Sequence, residues 1–158
     1  MTRKTFNEKL QHSGDLPKIQ DISDQPGAAE RWGGTKMLIA PPMAYNDIMA
    51  RIPRGKLTTT VDIRAYLAKK AQADFTCPLT AGIFTNIAAN ASAERTQNHI
   101  PYWRTLKSGG ELNEKYPGGL ASQRELLVSE GHKVIQKGKR YFVANYQAKL
   151  TNLNEVSP

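Results

Sequence analysis

The sequence predicts a mainly α fold with a small β component, built as a winged helix-turn-helix-like unit followed by a C-terminal β-hairpin. Three observations carry this. Apolar residues recur at helical spacing in four segments between about residues 43 and 130. The second and third of these are short helices joined by a loop closed at Pro78, the outline of a helix-turn-helix. The fourth gives way to two β-rich runs on either side of a Lys137-Gly138-Lys139 turn.

Taken in order, residues 1–40 read as an N-terminal extension. They hold Gly14, Pro17, Pro26, Gly27, Gly33 and Gly34 and few apolar residues. One helical turn at Phe6 and Leu10 and a short strand at Met37-Leu38-Ile39 are expected, the rest being loop. Tyr45, Ile48, Met49 and Ile52 predict a first helix, ended by Pro53 and Gly55. Thr59 or Thr60 caps a second helix from Val61 to about Lys70, with Ile63, Tyr66 and Leu67 on one face. Thr80 caps a third to about Ala93, whose apolar stripe is Ile83, Phe84 and Ile87 and whose polar side holds Thr85, Asn86 and Asn90. A fourth runs from about Leu120 to Glu130 and stops at Gly131. The hairpin spans 134–143. The working domain is thus expected at 41–150, with 151–158 as a tail.

The chain has 158 residues, 22 Lys+Arg against 14 Asp+Glu and a net charge of +8. Most of the excess lies beyond residue 40, which suggests an anionic partner for the working domain. A single cysteine excludes a disulfide framework and any multi-cysteine metal cage, and His12, His99 and His132 are too scattered for a metal site. No apolar run approaches the roughly 20 residues of a membrane helix, and the first residues hold no apolar signal core. A cytoplasmic protein without metal or cofactor is expected.

Three segments in fixed order say more. They are Ile52-Pro-Arg-Gly-Lys-Leu-Thr-Thr-Thr60, Ile100-Pro-Tyr-Trp-Arg104, and Tyr116-Pro-Gly-Gly-Leu120 with Leu126-Leu-Val-Ser-Glu130-Gly131. Over about residues 43–133 the chain resembles the DNA-binding domain of the methylated-DNA–protein-cysteine methyltransferases, which strip alkyl groups from guanine. The family's motif reads Pro-Cys-His-Arg, and a glutamate on the next helix helps to activate the cysteine. Here Tyr102 stands at the acceptor position and Trp103 at the histidine, while Arg104 and Glu130 match. A phenol with an ordinary pKa near 10 is no substitute for a thiolate. Cys77 lies elsewhere in the sequence, with no histidine nearby. No catalytic residue is therefore assigned. The chain resembles instead the alkyltransferase-like relatives that lack the acceptor cysteine, bind alkylated guanine and hand it to excision repair.

The resemblance implies a nucleotide pocket of Tyr102, Trp103, Arg104, Tyr116 and Glu130. It implies double-stranded DNA, alkylated or not, as partner, with a further repair protein, and a monomer. DNA-contacting positions are expected at Thr60, Thr80, Ala81, Thr85, Asn86 and Asn90, with Arg95 and the hairpin residues Lys137, Lys139 and Arg140 on the phosphate backbone. The chain departs from the family at two of them. Thr60 stands where a tyrosine helps to rotate the target nucleotide, and Ala81 where an arginine fills the vacated stack. Besides a protein-binding module with Trp32 and Trp103 at an interface, two other readings stay open. One is a winged-helix regulator indifferent to damage. The other is a base-processing enzyme that reuses the pocket, with Glu130 or Tyr102 as acid or base.

Overall fold

The computed structural model describes residues 4–155. Its helices are α1 (Phe6–Gln11), α2 (Ala28–Trp32), α3 (Pro42–Met49), α4 (Thr60–Ala71), α5 (Pro78–Glu94) and α6 (Gly119–Ser129). Its strands are β1 (Lys18–Asp21), β2 (Lys36–Ile39), β3 (Thr58–Thr59), β4 (Phe75–Thr76), β5 (Thr105–Leu106), β6 (Val134–Lys137) and β7 (Arg140–Val143). Short 3-10 turns cover Tyr102–Arg104, Ser108–Gly110 and Tyr146–Lys149. No helix is long and apolar enough to cross a membrane. The molecule is mixed α/β, with most of its ordered chain in helices and three small sheets.

The four helices expected beyond residue 40 are present as α3 to α6, within a few residues of the expected ends. Thr59 caps α4, its hydroxyl accepting from the Asp62 N–H at 3.1 Å. The third helix starts earlier than expected. Cys77 is its N-cap and Pro78 opens it, a position where a missing N–H costs nothing. The hairpin pairs Val134 with Val143 and Lys137 with Arg140.

Residues 1–40 differ from the expectation of mostly loop. They contribute α1, β1, α2 and β2. β2 pairs antiparallel with β1 and parallel with β4, so the segment joins a sheet whose third strand precedes α5. The reason is remote pairing, which local sequence does not advertise. The Asp74 carboxylate accepts the N–H groups of Thr35 and Lys36 at 3.0 and 2.9 Å. It reaches them because Gly34 has no β-carbon, which would overlap the Asp74 side chain. Likewise the Glu94 carboxylate at the end of α5 accepts the first free N–H groups of α1, from Phe6 at 2.9 Å and Asn7 at 3.1 Å.

Two cores result. The larger gathers Leu10, Leu38, Tyr45, Met49, Ile52, Ile63 and Ile100 around Ala81, Ala88 and Ala91 of α5. The small side chains on that face of α5 let α1 and α3 approach closely. The smaller core holds Leu57, Leu106, Leu112, Leu127 and Val143. Between them β3 pairs in parallel with β5, Thr58 opposite Thr105. This pairing sets the Tyr102–Arg104 turn between α5 and α6.

Candidate nucleic-acid interface

The Tyr102–Arg104 turn is held from three sides. Ahead of it, the Ile100 N–H donates to Ser92 Oγ on α5 at 2.9 Å. Behind it, Tyr116 donates its hydroxyl to the Thr105 carbonyl at 2.9 Å. From α6, Gln123 Nε2 donates to the Trp103 carbonyl at 3.1 Å while its Oε1 accepts the Asn113 N–H at 2.7 Å. Gln123 is fully buried and satisfies both backbone groups at once. Sequence reasoning missed it and Asn113; a glutamine on the apolar side of a helix was the available signal.

The five expected pocket residues come together. Tyr102 meets Trp103 and Tyr116 edge to face, with ring centroids 5.4 and 5.5 Å apart. Tyr102 packs against the larger core and Trp103 against the smaller. Burial pushes both the Tyr102 and Tyr116 phenols above their ordinary pKa, so both stay neutral.

Arg104 and Glu130 form a buried ion pair rather than a free recognition group. Arg104 Nε donates to both carboxylate oxygens at 2.9 and 3.1 Å, and Nη2 to Oε2 at 2.6 Å. Nη1 donates to the Ile52 carbonyl at 2.7 Å. The two side chains are 13% and 4% exposed. Burial is the strongest single influence on the Glu130 carboxyl and pushes it up, but the Arg104 hydrogen bonds and positive charge, together with the neighbouring donors, outweigh it and hold the group below its ordinary value. Glu130 gets there because Gly131 adopts φ +91°, ending α6 with Glu130 as its C-cap. Neither an acid's proton nor a free guanidinium is on offer at this pair.

On α5 the expected contact positions divide. Ala81 is 1% exposed and Thr85 fully buried, its hydroxyl donating to the Ala81 carbonyl at 2.6 Å. Both face the core, which corrects the expectation that they face a ligand. Helical periodicity puts them on the stripe of Ala88 and Ser92, whose small side chains fit under the neighbouring helices. Thr80 lines a cleft of about 430 Å³ with Lys9, His12, Lys18 and Phe84, so residues 4–18 cover that side of α5. Asn86 Oδ1 accepts from Asn113 Nδ2 at 2.8 Å, and Asn90 Nδ2 donates to the Asn86 and Lys115 carbonyls at 2.9 and 3.1 Å. The open side carries Leu79, Gly82 and Ile83, in line with Asn86 and Asn90. Ile83 was expected in the core. A run of Ala, Ser and Thr at helical spacing was the signal that the core side lay opposite.

The remaining positions also divide. Thr60 is the half-buried first residue of α4. Arg95 is engaged within the fold, donating to Asn7 Oδ1 at 2.9 Å and the Asn98 carbonyl at 2.8 Å. Arg140 forms a two-point ion pair with Glu111 at 2.8 and 3.0 Å. Lys137 and Lys139 are exposed at the hairpin tip, Lys137 lying over the Phe142 ring. The corrections at Arg95 and Arg104 share a cause: a guanidinium near a carboxylate or carbonyl is drawn into the fold, whereas Arg140 stays 62% exposed while paired with Glu111. Cys77, half-buried, caps the N-terminus of α5. Ser92, which anchors the Tyr102 segment, lies about 22 Å further along the helix at 1.5 Å per residue. Among the described residues no cluster of His, Cys, Asp and Glu is placed to hold a metal.

No protein-family model matches the chain, and no curated protein sequence does. Solved structures do. The chain is similar to S. pombe Atl1 in complex with damaged DNA containing O6-carboxymethylguanine, with a TM-score of 0.50 and 19% identity over 70% of this chain and 94% of that one. The fold is alkyltransferase-like. A second structure, S. pombe ATL in complex with DNA, gives a TM-score of 0.49 at the same identity and coverage.

Proposed function

We propose that this protein is a non-catalytic reader of double-stranded DNA that recognises alkylated bases. The observation that carries the reading is the Tyr102 ring. It stands where the resemblance places an acceptor cysteine, half-buried, neutral and braced by two other aromatic rings. A braced aromatic face offers base stacking, about 1–3 kcal/mol per base, and no nucleophile. The solved protein of similar fold is bound to DNA carrying O6-carboxymethylguanine.

In this reading residues 41–150 act as the domain that meets the duplex, as a monomer in the cytoplasm. α5 lies in a groove with its Leu79–Ile83–Asn86–Asn90 side inward. The hairpin acts as the wing, setting Lys137 and Lys139 on phosphates. Residues 4–18 pack on the side of α5 away from the duplex. A repair protein takes over the recognised site. The Arg104–Glu130 pair speaks against the base-processing alternative, since its carboxylate is ionised and fully bonded. Fluorescence anisotropy on matched duplexes with and without O6-methylguanine tests the reading. Tighter, salt-sensitive binding to the damaged duplex is expected. Equal affinity for both duplexes would shift the reading to the damage-indifferent regulator, and no binding at low salt would overturn it.

A further inference from the structure

A cleft of about 550 Å³ has its walls in α2, one side of α4 and the segment through β4. None of the residues gathered around Tyr102 lines it. Two half-buried rings form part of its wall. Trp32 and Phe75 lie face to face, their centroids 5.2 Å apart and their planes 7° apart. The Arg31 guanidinium sits 4.9 Å from the centre of the Trp32 ring. The rings meet because β2 pairs in parallel with β4, Met37 opposite Phe75, which brings the end of α2 beside β4. Gly33, at φ +81°, ends α2 directly after Trp32.

The charge of the cleft is of mainly one sign. Arg64 and Lys69 of α4 line it together with Arg31. None of the three cations forms an ion pair among the described residues. The one carboxylate in the lining is Asp74, and its Oδ2 accepts the Thr35 and Lys36 N–H groups. Asp62, the acid in the first turn of α4, belongs to a neighbouring cleft with Leu150 and Asn154, which shares only Ala65 and Lys69 with this one.

Flat rings and guanidinium planes are surfaces on which unpaired bases stack, and cations beside them hold the linking phosphates. A duplex keeps its base faces stacked inside, so a strand must be single to use such a wall. An acidic peptide would match the charge but leave the paired rings without a planar counterpart. The cleft also borders the starts of both α4 and α5. Val61 follows Thr60 at the head of α4, and Thr76 precedes Cys77, the N-cap of α5.

We infer that this cleft takes a single-stranded stretch of DNA continuing from the bound duplex, with a base against Trp32 and Phe75 and phosphates on Arg31, Arg64 and Lys69. This deepens the DNA-binding reading and rests on it. The contact comes from α2 and the outer side of α4, and it needs neither a lesion nor Tyr102.

The full-length chain is titrated by anisotropy with a blunt duplex and with the same duplex carrying a tail of about ten thymidines. The tail should tighten binding about tenfold and quench tryptophan emission. The chain has two tryptophans, Trp32 and Trp103. Trp32→Phe keeps a ring, so it should keep the tighter binding while losing the tail-dependent quenching. Arg31→Gln with Lys69→Gln should abolish the gain and leave the blunt duplex bound as before. Both residues are exposed, so this variant should unfold at the native urea midpoint, which separates a binding loss from a folding loss. Equal affinity for blunt and tailed duplexes overturns the cleft alone. So does a gain that survives the double substitution, or tail-dependent quenching that survives Trp32→Phe, since the strand then lies elsewhere. Poly-glutamate that competes with the tail as well as free oligothymidine of equal charge would assign the cleft to acidic peptides and overturn the single strand. No binding to either duplex at low salt fails the DNA-binding reading, and the cleft with it.

Discussion

The Arg104 knot and the open side of α5 are built on opposite plans. In the knot the Arg104, Glu130, Gln123 and Tyr116 side chains are all engaged, while the Trp103 indole N–H and the Thr105 hydroxyl are buried without a partner. Arg104 donates to Glu130 and Ile52, Gln123 bridges Trp103 and Asn113, and Tyr116 reaches Thr105. On the open side of α5, Leu79, Gly82 and Ile83 face outward with nothing in the fold laid over them. Arg104 and Glu130 thus hold the site in shape, while the apolar residues of α5 and the lysines of the hairpin tip stay exposed.

The contrast yields predictions that rank by size. Glu130→Ala leaves the Arg104 guanidinium buried without its partner. It should destabilise the fold by about 3–5 kcal/mol in urea unfolding, whatever it does to binding. A change below about 1 kcal/mol would mean the knot is not structural. The same pair sets an acid limit. The Glu130 carboxyl is held below its unfolded value, so its contribution is present above the unfolded pKa and is lost as pH falls through the folded one. Stability should therefore fall with acid below about pH 4.5. Glu130→Gln should flatten that slope, and equal slopes would assign it to other carboxylates.

Tyr116→Phe removes one hydrogen bond inside the knot and leaves the buried Thr105 carbonyl without its donor. About 1–2 kcal/mol of stability should go, read from the unfolding midpoint at constant m-value. Tyr102→Ala crosses from shape to contact. If the ring stacks on a base, affinity for an O6-methylguanine duplex should fall about tenfold with little change for the undamaged one. Equal losses on both duplexes would make Tyr102 another brace of the knot. The smallest effect is expected at the hairpin. Lys137→Gln with Lys139→Gln should weaken binding to all duplexes alike and make log K less steep against log salt by about two. An unchanged salt slope would place the tip away from the phosphates.

Much of this was legible in the sequence, for reasons that can be named. The helices from Pro42 to Ser129 follow from apolar spacing and from caps at Thr59 and Gly131. The hairpin follows from one Lys-Gly-Lys turn between β-branched and aromatic runs. The likeness to the alkyltransferases rested on three ordered motifs, and the fold agrees. Within residues 4–40 the turn at Phe6 and Leu10 and the strand at Met37–Ile39 were legible, but β1, α2 and the sheet that joins β1 and β2 to β4 were not, because they depend on partners at Phe75, Asp74 and Glu94. The side of α5 that faces outward was read wrongly at Ala81, Ile83 and Thr85. Large residues were assigned to the core and small polar ones to the surface, but close packing by α1 and α3 selects small side chains instead.

The sequence by itself determined that the one cysteine is Cys77, that Tyr102 and Trp103 stand between Pro101 and Arg104, and that the positive charge lies mainly beyond residue 40. Those statements need only residue identity and order. Tertiary structure decided which cations remain free and which face of α5 is bare. Both depend on what else arrives within a few ångströms. A guanidinium is a recognition group or a strut according to whether a carboxylate lies within reach, and a leucine is core or surface according to whether a neighbouring helix covers it.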